Sequence, residues 1–312
     1  MRKVLIVLLA VLFSALIFAN AEYYVVKSGD SLSKISEVTG VSIDKLIKYN
    51  NIQNPDLIVV GQKLRLMPEY TQKDLNEQMV LAMDWYQTSG EMKALAYQAF
   101  NVAKMVFDND LANNNDPMKR AVIVDIDETI LNNSPYDAGH IDTNHAYPTG
   151  WNDWCNAALA TALPGAVEFL NYVVEKGADV YYISNRKVAV KEGTMKNLKA
   201  LGFPQVTDDH VLLRTDTSDK EPRRKMVEKD HRIVLLMGDN LNDFTSVFRH
   251  KGLKERNALV DQFKNEYGVK FILLPNPIYG DWEGAIYNGN WGLSPEEKSK
   301  TRKSVITKWP EQ

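Results

Sequence analysis

Nine residues, Ala121-Val-Ile-Val-Asp-Ile-Asp-Glu-Thr129, constrain this chain more than any other stretch. Four apolar, mostly β-branched residues run without a break into two carboxylates one residue apart. An apolar run that short reads as a strand buried on both faces, as in a parallel sheet. Asp125 and Asp127 then emerge at its carboxyl end, where open α/β sheets place their ligand sites. Two like charges so close to a buried strand repel, and they draw a proton or a cation.

The downstream chain repeats a rhythm of strand and helix. Val180-Tyr-Tyr-Ile183 delivers Ser184-Asn185-Arg186, and Val211-Leu-Leu213 is followed by Lys220 at the start of a helix. Ile233-Val-Leu-Leu-Met237 delivers Gly238-Asp239-Asn240-Leu-Asn-Asp243. Asn257-Ala-Leu-Val260 and Phe271-Ile-Leu-Leu274 read as further strands. Such alternation predicts an α/β fold, a doubly wound parallel sheet covered by helices on both faces. Ahead of the first strand, 70–110 reads as two helices, with Leu75, Met79, Val80, Met83 and Tyr86 on one face and a break at Ser89-Gly90. Between the first two strands, about 132–163 is turn-rich and aromatic, the pattern of an irregular cap or specificity loop.

On a sheet of this kind the strand ends converge on one crevice. Asp125 with Asp127, Ser184 with Asn185, Lys220, and Asp239 with Asp243 all fall there, Lys220 being placed most loosely because it lies several residues past its strand. Together they suit phosphoryl transfer. One carboxylate attacks phosphorus and splits a hard hydrolysis into two easier steps. A second carries the proton to and from oxygen. A hydroxyl and an ammonium hold the phosphate, and a hard divalent cation bound by carboxylates offsets the repulsion between anion and dianion.

These motifs, Asp125-x-Asp127-x-Thr129, Ser184, Lys220 and Gly238-Asp239-x-x-x-Asp243, resemble the four motifs of the haloacid dehalogenase superfamily phosphatases. Trp85, Ser89-Gly-Glu91, Asn133-Ser-Pro-Tyr136, Pro164-Gly-Ala-Val-Glu-Phe169, Ser184-Asn-Arg-Lys187 and Tyr279-Gly-Asp-Trp-Glu-Gly284 extend the resemblance to the class C nonspecific acid phosphatases of the surface-lipoprotein type, with their four-aspartate signature. It runs from about Leu75 to the C-terminal helix. The resemblance implies a haloacid-dehalogenase-like sheet with a helical or loop cap. It implies Asp125 as nucleophile and Asp127 as general acid/base, with its backbone carbonyl on the metal. It implies Mg²⁺ on Asp125, Asp239 and Asp243, and phosphate held by Ser184, Asn185 and Lys220. Trp151 and Tyr279 fall where members stack an aromatic leaving group. Phosphomonoesters, nucleoside 5′-monophosphates among them, are the implied substrates, and a homodimer is a possible assembly.

Residues 22–68 form a separate unit with the pattern strand, helix, helix, strand. Tyr24-Val-Val-Lys-Ser-Gly-Asp-Ser-Leu32, Ile35, Asn50-Asn51 and Val60-Gly-Gln-Lys-Leu64 make it similar to a LysM module, a small α+β (β-α-α-β) domain. The resemblance implies binding of peptidoglycan or another N-acetylglucosamine glycan; a module with no glycan affinity is the alternative. Residues 69–312 are then the phosphatase domain.

Residues 1–21 read as a secretory signal peptide: Arg2 and Lys3, an apolar run from Val4 to Phe18, and Ala19-Asn20-Ala21 as a small-x-small cleavage pattern. The run is short for a membrane span. No cysteine lies near that site, so the expectation is an exported protein of the periplasm, the cell envelope or the extracellular space, not lipid-anchored. The single cysteine, Cys155, permits no internal disulfide. A net charge of −3 without a strongly basic stretch gives no reason to expect a nucleic acid polymer as partner. His140 and His145 with Asp142 lack a fourth ligand for zinc and read as surface loop. The sharpest competitor is a non-catalytic envelope glycan-binding protein with a vestigial phosphatase fold. A dehalogenase has no use for the acid/base carboxylate at Asp127, and a lectin-like adhesin has only Trp151, Trp154 and Tyr279 in its favour.

Overall fold

The structure is a computed structural model that describes residues 22–310. The segment read as a signal peptide lies outside the described residues. The chain divides into two compact units between Thr71 and Gln72.

In the first unit, β1 (Tyr23–Val25) pairs antiparallel with β2 (Lys63–Arg65), and α1 (Leu32–Thr39) and α2 (Ile43–Asn50) lie between them in sequence. Ser31 and Ser42 cap the two helices by accepting from the backbone N–H of Lys34 and Lys45. Asp30 does not cap; it accepts from the Lys27 N–H and the Tyr24 hydroxyl. Gly40 and Asn51 close the helices in the left-handed conformation. Tyr24, Leu32, Ile35, Leu46 and Leu64 form a small core of their own.

The second unit opens with α3 (Gln72–Asn76), α4 (Val80–Thr88) and the long α5 (Gly90–Asn113). The strands that follow are β3 (Lys119–Val124), the short β4 (Leu131–Asn132) and β5 (Thr161–Ala162), β6 (Asp179–Lys187), β7 (Val211–Arg214), β8 (His231–Gly238) and β9 (Phe271–Leu273). The helices are α6 (Ser134–Ala138), α7 (Trp151–Ala157), α8 (Ala166–Glu175), α9 (Lys191–Ala200), α10 (Glu221–Glu228), α11 (Leu253–Gln262), α12 (Asp281–Ile286) and α13 (Pro295–Ser304). The central sheet has the order β7-β6-β3-β8-β9, every pair parallel. The chain leaves β3 toward β6 and β7, then returns to β8 and β9 on the other side. That reversal makes the carboxyl end of β3 the switch point of the sheet, where open α/β folds form their crevice.

Strand β3 shows why the sheet is covered twice. Val122 and Val124 point into a core shared with Phe107 of α5 and Phe169 and Leu170 of α8. Ala121 and Ile123 point into a second core with Val227 of α10 and Phe271. Alternation along the strand feeds both faces. A buried aliphatic side chain is worth about 1.5–3 kcal/mol, so a register slip here costs both cores at once.

Two expectations need correction. Asn257–Val260 is not a strand but part of α11. An apolar run of that length fits either element, and here it lies within one helical segment whose Arg256 is buried and donates to the Phe248 carbonyl. The cap at 132–163 is also more regular than expected. It carries α6, with Pro135 in its first turn, α7, and the antiparallel β4–β5 pair. It is fastened from two sides. Buried Asn76 of α3 donates through its amide to the carbonyls of His140, Thr143 and His145 at 2.9, 3.1 and 2.8 Å. On the other side α7 lies so close to α9 that a Cβ on Gly193 would stand 2.6 Å from the Cys155 carbonyl oxygen.

Candidate active site

The carboxyl end of β3 keeps its backbone in the sheet for one residue more, since Asp125 N–H donates to the Met237 carbonyl at 2.9 Å. The chain then turns sharply: Glu128 adopts a left-handed φ of 51° and its N–H reaches the Leu131 carbonyl. This turn presents Asp125, buried at 7% exposure, beside half-buried Asp127.

Lys220, left loosest by the sequence, lands at the centre. It is 5% exposed, ion-paired with Asp125, and 2.6 Å from Oδ1 of Asp243. It sits at the N-terminus of α10, and Asp219 just before it accepts from the Glu221 N–H and the Ser246 hydroxyl. Asp243 is fixed by its own turn, accepting at Oδ2 from the Asn240 N–H at 3.0 Å. Gly238 makes that approach possible, because a Cβ there would overlap the Asp243 side chain. Asp239 accepts from the Asn276 amide at 2.8 Å. Carboxylate oxygens of Asp125, Asp239 and Asp243 all lie within 4.8 Å of one another.

Ser184 donates to Oδ2 of Asp127 at 3.2 Å. It lies within β6, which runs on to Lys187 instead of ending at Ile183. Asn185 is engaged differently. Its amide nitrogen donates to the Ser218 carbonyl and its oxygen accepts from Arg223, so its side chain braces the loop that carries Lys220. Trp151 opens α7 and packs edge-on against Tyr136, with centroids 4.9 Å apart. The Tyr279 hydroxyl donates to Glu128, a partner 151 residues away.

Residues 27–282 match the family described as HAD superfamily, subfamily IIIB (acid phosphatase). The chain belongs to that family. The class C acid phosphatase of Bacillus anthracis is 46% identical, with a TM-score of 0.73, over 76% of this chain and 99% of that one. A structure of class C acid phosphatase from the same organism has tungstate bound. Acid phosphatase 1 of Solanum lycopersicum is 30% identical over 165 residues, and the chain spans 57% of that protein's length. A separate short likeness, 48% identical over 45 residues, is to the N-acetylmuramoyl-L-alanine amidase XlyA of Bacillus subtilis.

The electrostatics of this HAD-superfamily site fit a divalent cation. Burial pushes Asp125 up to about 7, even though the Lys220 ammonium pulls it down. Burial, then repulsion from Asp243 and Asp125, raises Asp239 well above the usual carboxylate range. Lys220 pairs with two of these three carboxylates, Asp125 and Asp243, and the three offer hard oxygen donors of the kind that hard divalent cations take.

Sequence reasoning missed two residues that the structure gathers at Asp127. Buried Arg186 ion-pairs with Asp127 at 2.8 Å. Its signal was present, since Ser184 and Arg186 are two residues apart on one strand and share a face. Asn133 donates through its amide to Oδ1 of Asp127 at 2.8 Å and through its backbone N–H to Glu128 at 2.6 Å. Burial pushes Glu128 up to about 8.

Proposed function

We propose that this protein is an exported, Mg²⁺-dependent phosphomonoesterase that works through an aspartyl-phosphate. The observation that carries the reading is Lys220 ion-paired with both Asp125 and Asp243, at the carboxyl edge of β3 beside Asp127. An ammonium held between carboxylates is a ready counter-charge for a phosphoryl group beside its nucleophile.

The Asp125 carboxylate attacks phosphorus, the bond to the ester oxygen breaks, and Asp127 gives that oxygen a proton. Water then attacks the acyl-phosphate, Asp127 takes its proton, and Asp125 is released with inorganic phosphate. Ser184 and Lys220 are the groups assigned to the phosphate oxygens. Asn185 contributes by bracing the Lys220 loop, with its phosphate contact left to its backbone. Asp125, Asp239, Asp243 and the Asp127 carbonyl are the assigned Mg²⁺ ligands; bound there, the cation offsets negative charge on nucleophile and phosphate. Trp151 and Tyr279 are assigned to the leaving-group side, which favours nucleoside monophosphates. Tungstate on the Bacillus anthracis relative supports an oxyanion site, being tetrahedral like phosphate.

The N-terminal unit is assigned to peptidoglycan. Its β-α-α-β order supports a cell-wall tether, and so does the chain's 45-residue likeness to N-acetylmuramoyl-L-alanine amidase XlyA. A full-length chain that stays in the supernatant over insoluble peptidoglycan while hydrolysing phosphomonoesters removes the tether from this reading.

The deciding experiment is hydrolysis of p-nitrophenyl phosphate and nucleoside monophosphates, with and without Mg²⁺, beside Asp125→Asn. The expected result is metal-dependent activity that collapses in the variant. Full activity of Asp125→Asn overturns the mechanism, and no hydrolysis by the native chain favours the non-catalytic glycan-binding reading.

A further inference from the structure

We propose that Arg186 is a positioning residue for proton transfer: it locks Oδ1 of Asp127 and leaves Oδ2 as the oxygen that carries the proton. The proposal rests on the phosphatase reading above. Oδ1 of Asp127 accepts two N–H donors, Nε of Arg186 and Nδ2 of Asn133, each at 2.8 Å. Among the described residues, Oδ2 meets only the Ser184 hydroxyl, at 3.2 Å. A hydroxyl can turn from donor to acceptor; an amide N–H and a guanidinium N–H cannot. A proton therefore has a place on Oδ2 and none on Oδ1.

Arg186 is itself held on every side. Nη1 donates to Thr194 Oγ1 at 3.1 Å and Nη2 to Asn133 Oδ1 at 3.0 Å. Trp151 lies over the guanidinium, 5.4 Å from ring centre to Cζ. Asn133 is pinned in turn by the Trp154 indole N–H at 2.9 Å. Stability alone gives little reason for such a cluster, because a buried ion pair is often matched by apolar residues of the same size. A planar guanidinium held through its two Nη atoms by Thr194 and Asn133 instead fixes the direction from which its Nε meets Oδ1, which a lysine's point charge does not. A general acid that has lost its orientation still leaves the nucleophile, the phosphate grip and the metal ligands in place.

The consequence is a dependence on the leaving group. Nitrophenolate departs as a stable anion without a proton, whereas an alkoxide needs one in the transition state. The test measures kcat/KM of Arg186→Lys and Arg186→Gln for p-nitrophenyl phosphate, phenyl phosphate and glycerol 2-phosphate, with melting temperature as the check on folding. This ratio reports the step that releases the leaving group. The expected result is a loss of about 100-fold for glycerol phosphate, the scale of general acid catalysis, against less than about 5-fold for p-nitrophenyl phosphate. Equal losses across the series overturn the proposal. If both Arg186 variants fail to fold, Thr194→Val decides, since it removes only one anchor of the guanidinium. A loss confined to poor leaving groups supports the proposal, and an unchanged or uniform profile overturns it. A native chain inactive on all three esters refutes the phosphatase reading instead.

Discussion

The side chain of Asp243 fills the space that a β-carbon on Gly238 would need. Such a carbon would stand 2.6 Å from Cγ and 2.5 Å from Cβ of Asp243, far inside any normal contact. Asp243 is meanwhile tied to Lys220 and to the Asn240 N–H. Gly238→Ala should therefore displace Asp243 and, with it, Lys220. A misplacement of about 1 Å at such a site costs about 10²-fold in rate. We expect kcat/KM for p-nitrophenyl phosphate to fall by about that factor while circular dichroism stays native; an active, unperturbed variant refutes the steric account.

Two buried carboxylates, Asp125 and Asp243, and half-buried Asp239 stand against one ammonium, an excess of negative charge that suits a cation. Ligand binding to the native state alone stabilises by about 2.7 kcal/mol at 100 times its dissociation constant. Saturating Mg²⁺ should raise the melting temperature of the native chain, and Asp239→Asn should abolish most of that rise. An equal rise in both proteins would place the cation elsewhere.

The Tyr279 hydroxyl serves a buried acid. Glu128, pushed up to about 8 by burial, accepts that hydroxyl together with the Asn133 N–H. Tyr279→Phe removes one partner and leaves a buried polar group short, a cost of about 1–3 kcal/mol. Urea unfolding at pH 7 should show a loss of that size; no change would mean that the bond contributes nothing.

Asp110 gives the pH dependence. Burial pushes its carboxyl up, but Arg232 and then Arg120 bring it below the usual carboxylate value. Arg232 grips both oxygens at 2.7 Å, and Arg120 reaches Oδ1 at 2.7 Å. A folded-state value below the unfolded one adds stability that is full above about pH 4 and is lost as pH falls through the lowered value. Asp110→Asn should destabilise by about 1.5–3 kcal/mol at pH 7, the range for hydrogen bonds to charged groups. The gap to the native chain should shrink toward pH 3; a gap constant with pH contradicts the assignment.

What the sequence made legible follows the reach of local physics. The strand before Asp125 and its double burial could be read from four apolar residues, because alternation is a local rule. Bringing Asp239 and Asp243 to Asp125 followed from the geometry of parallel sheets. Lys220 was harder, since its position depends on a loop held by Asp219, Ser246 and Asn185. The Tyr279–Glu128 bond spans 151 residues and leaves no periodic trace. Asn257–Val260 misled because a short apolar run carries too few residues to separate a period of 2 from one of 3.6. Arg186 lies within the Ser184-Asn-Arg-Lys187 stretch, yet nothing in the sequence names Asp127 as its partner.

The three carbonyls gathered by Asn76 set where the catalytic machinery begins along the chain. They belong to 140–145, far downstream, yet the amide that satisfies them precedes the first strand of the central sheet by more than forty residues. A shortened protein that starts at Lys119 would keep every carboxylate of the site and lose the clasp on its cap. A fragment meant to keep that clasp therefore includes the helices from Gln72 onward, which belong to the same compact unit as the sheet.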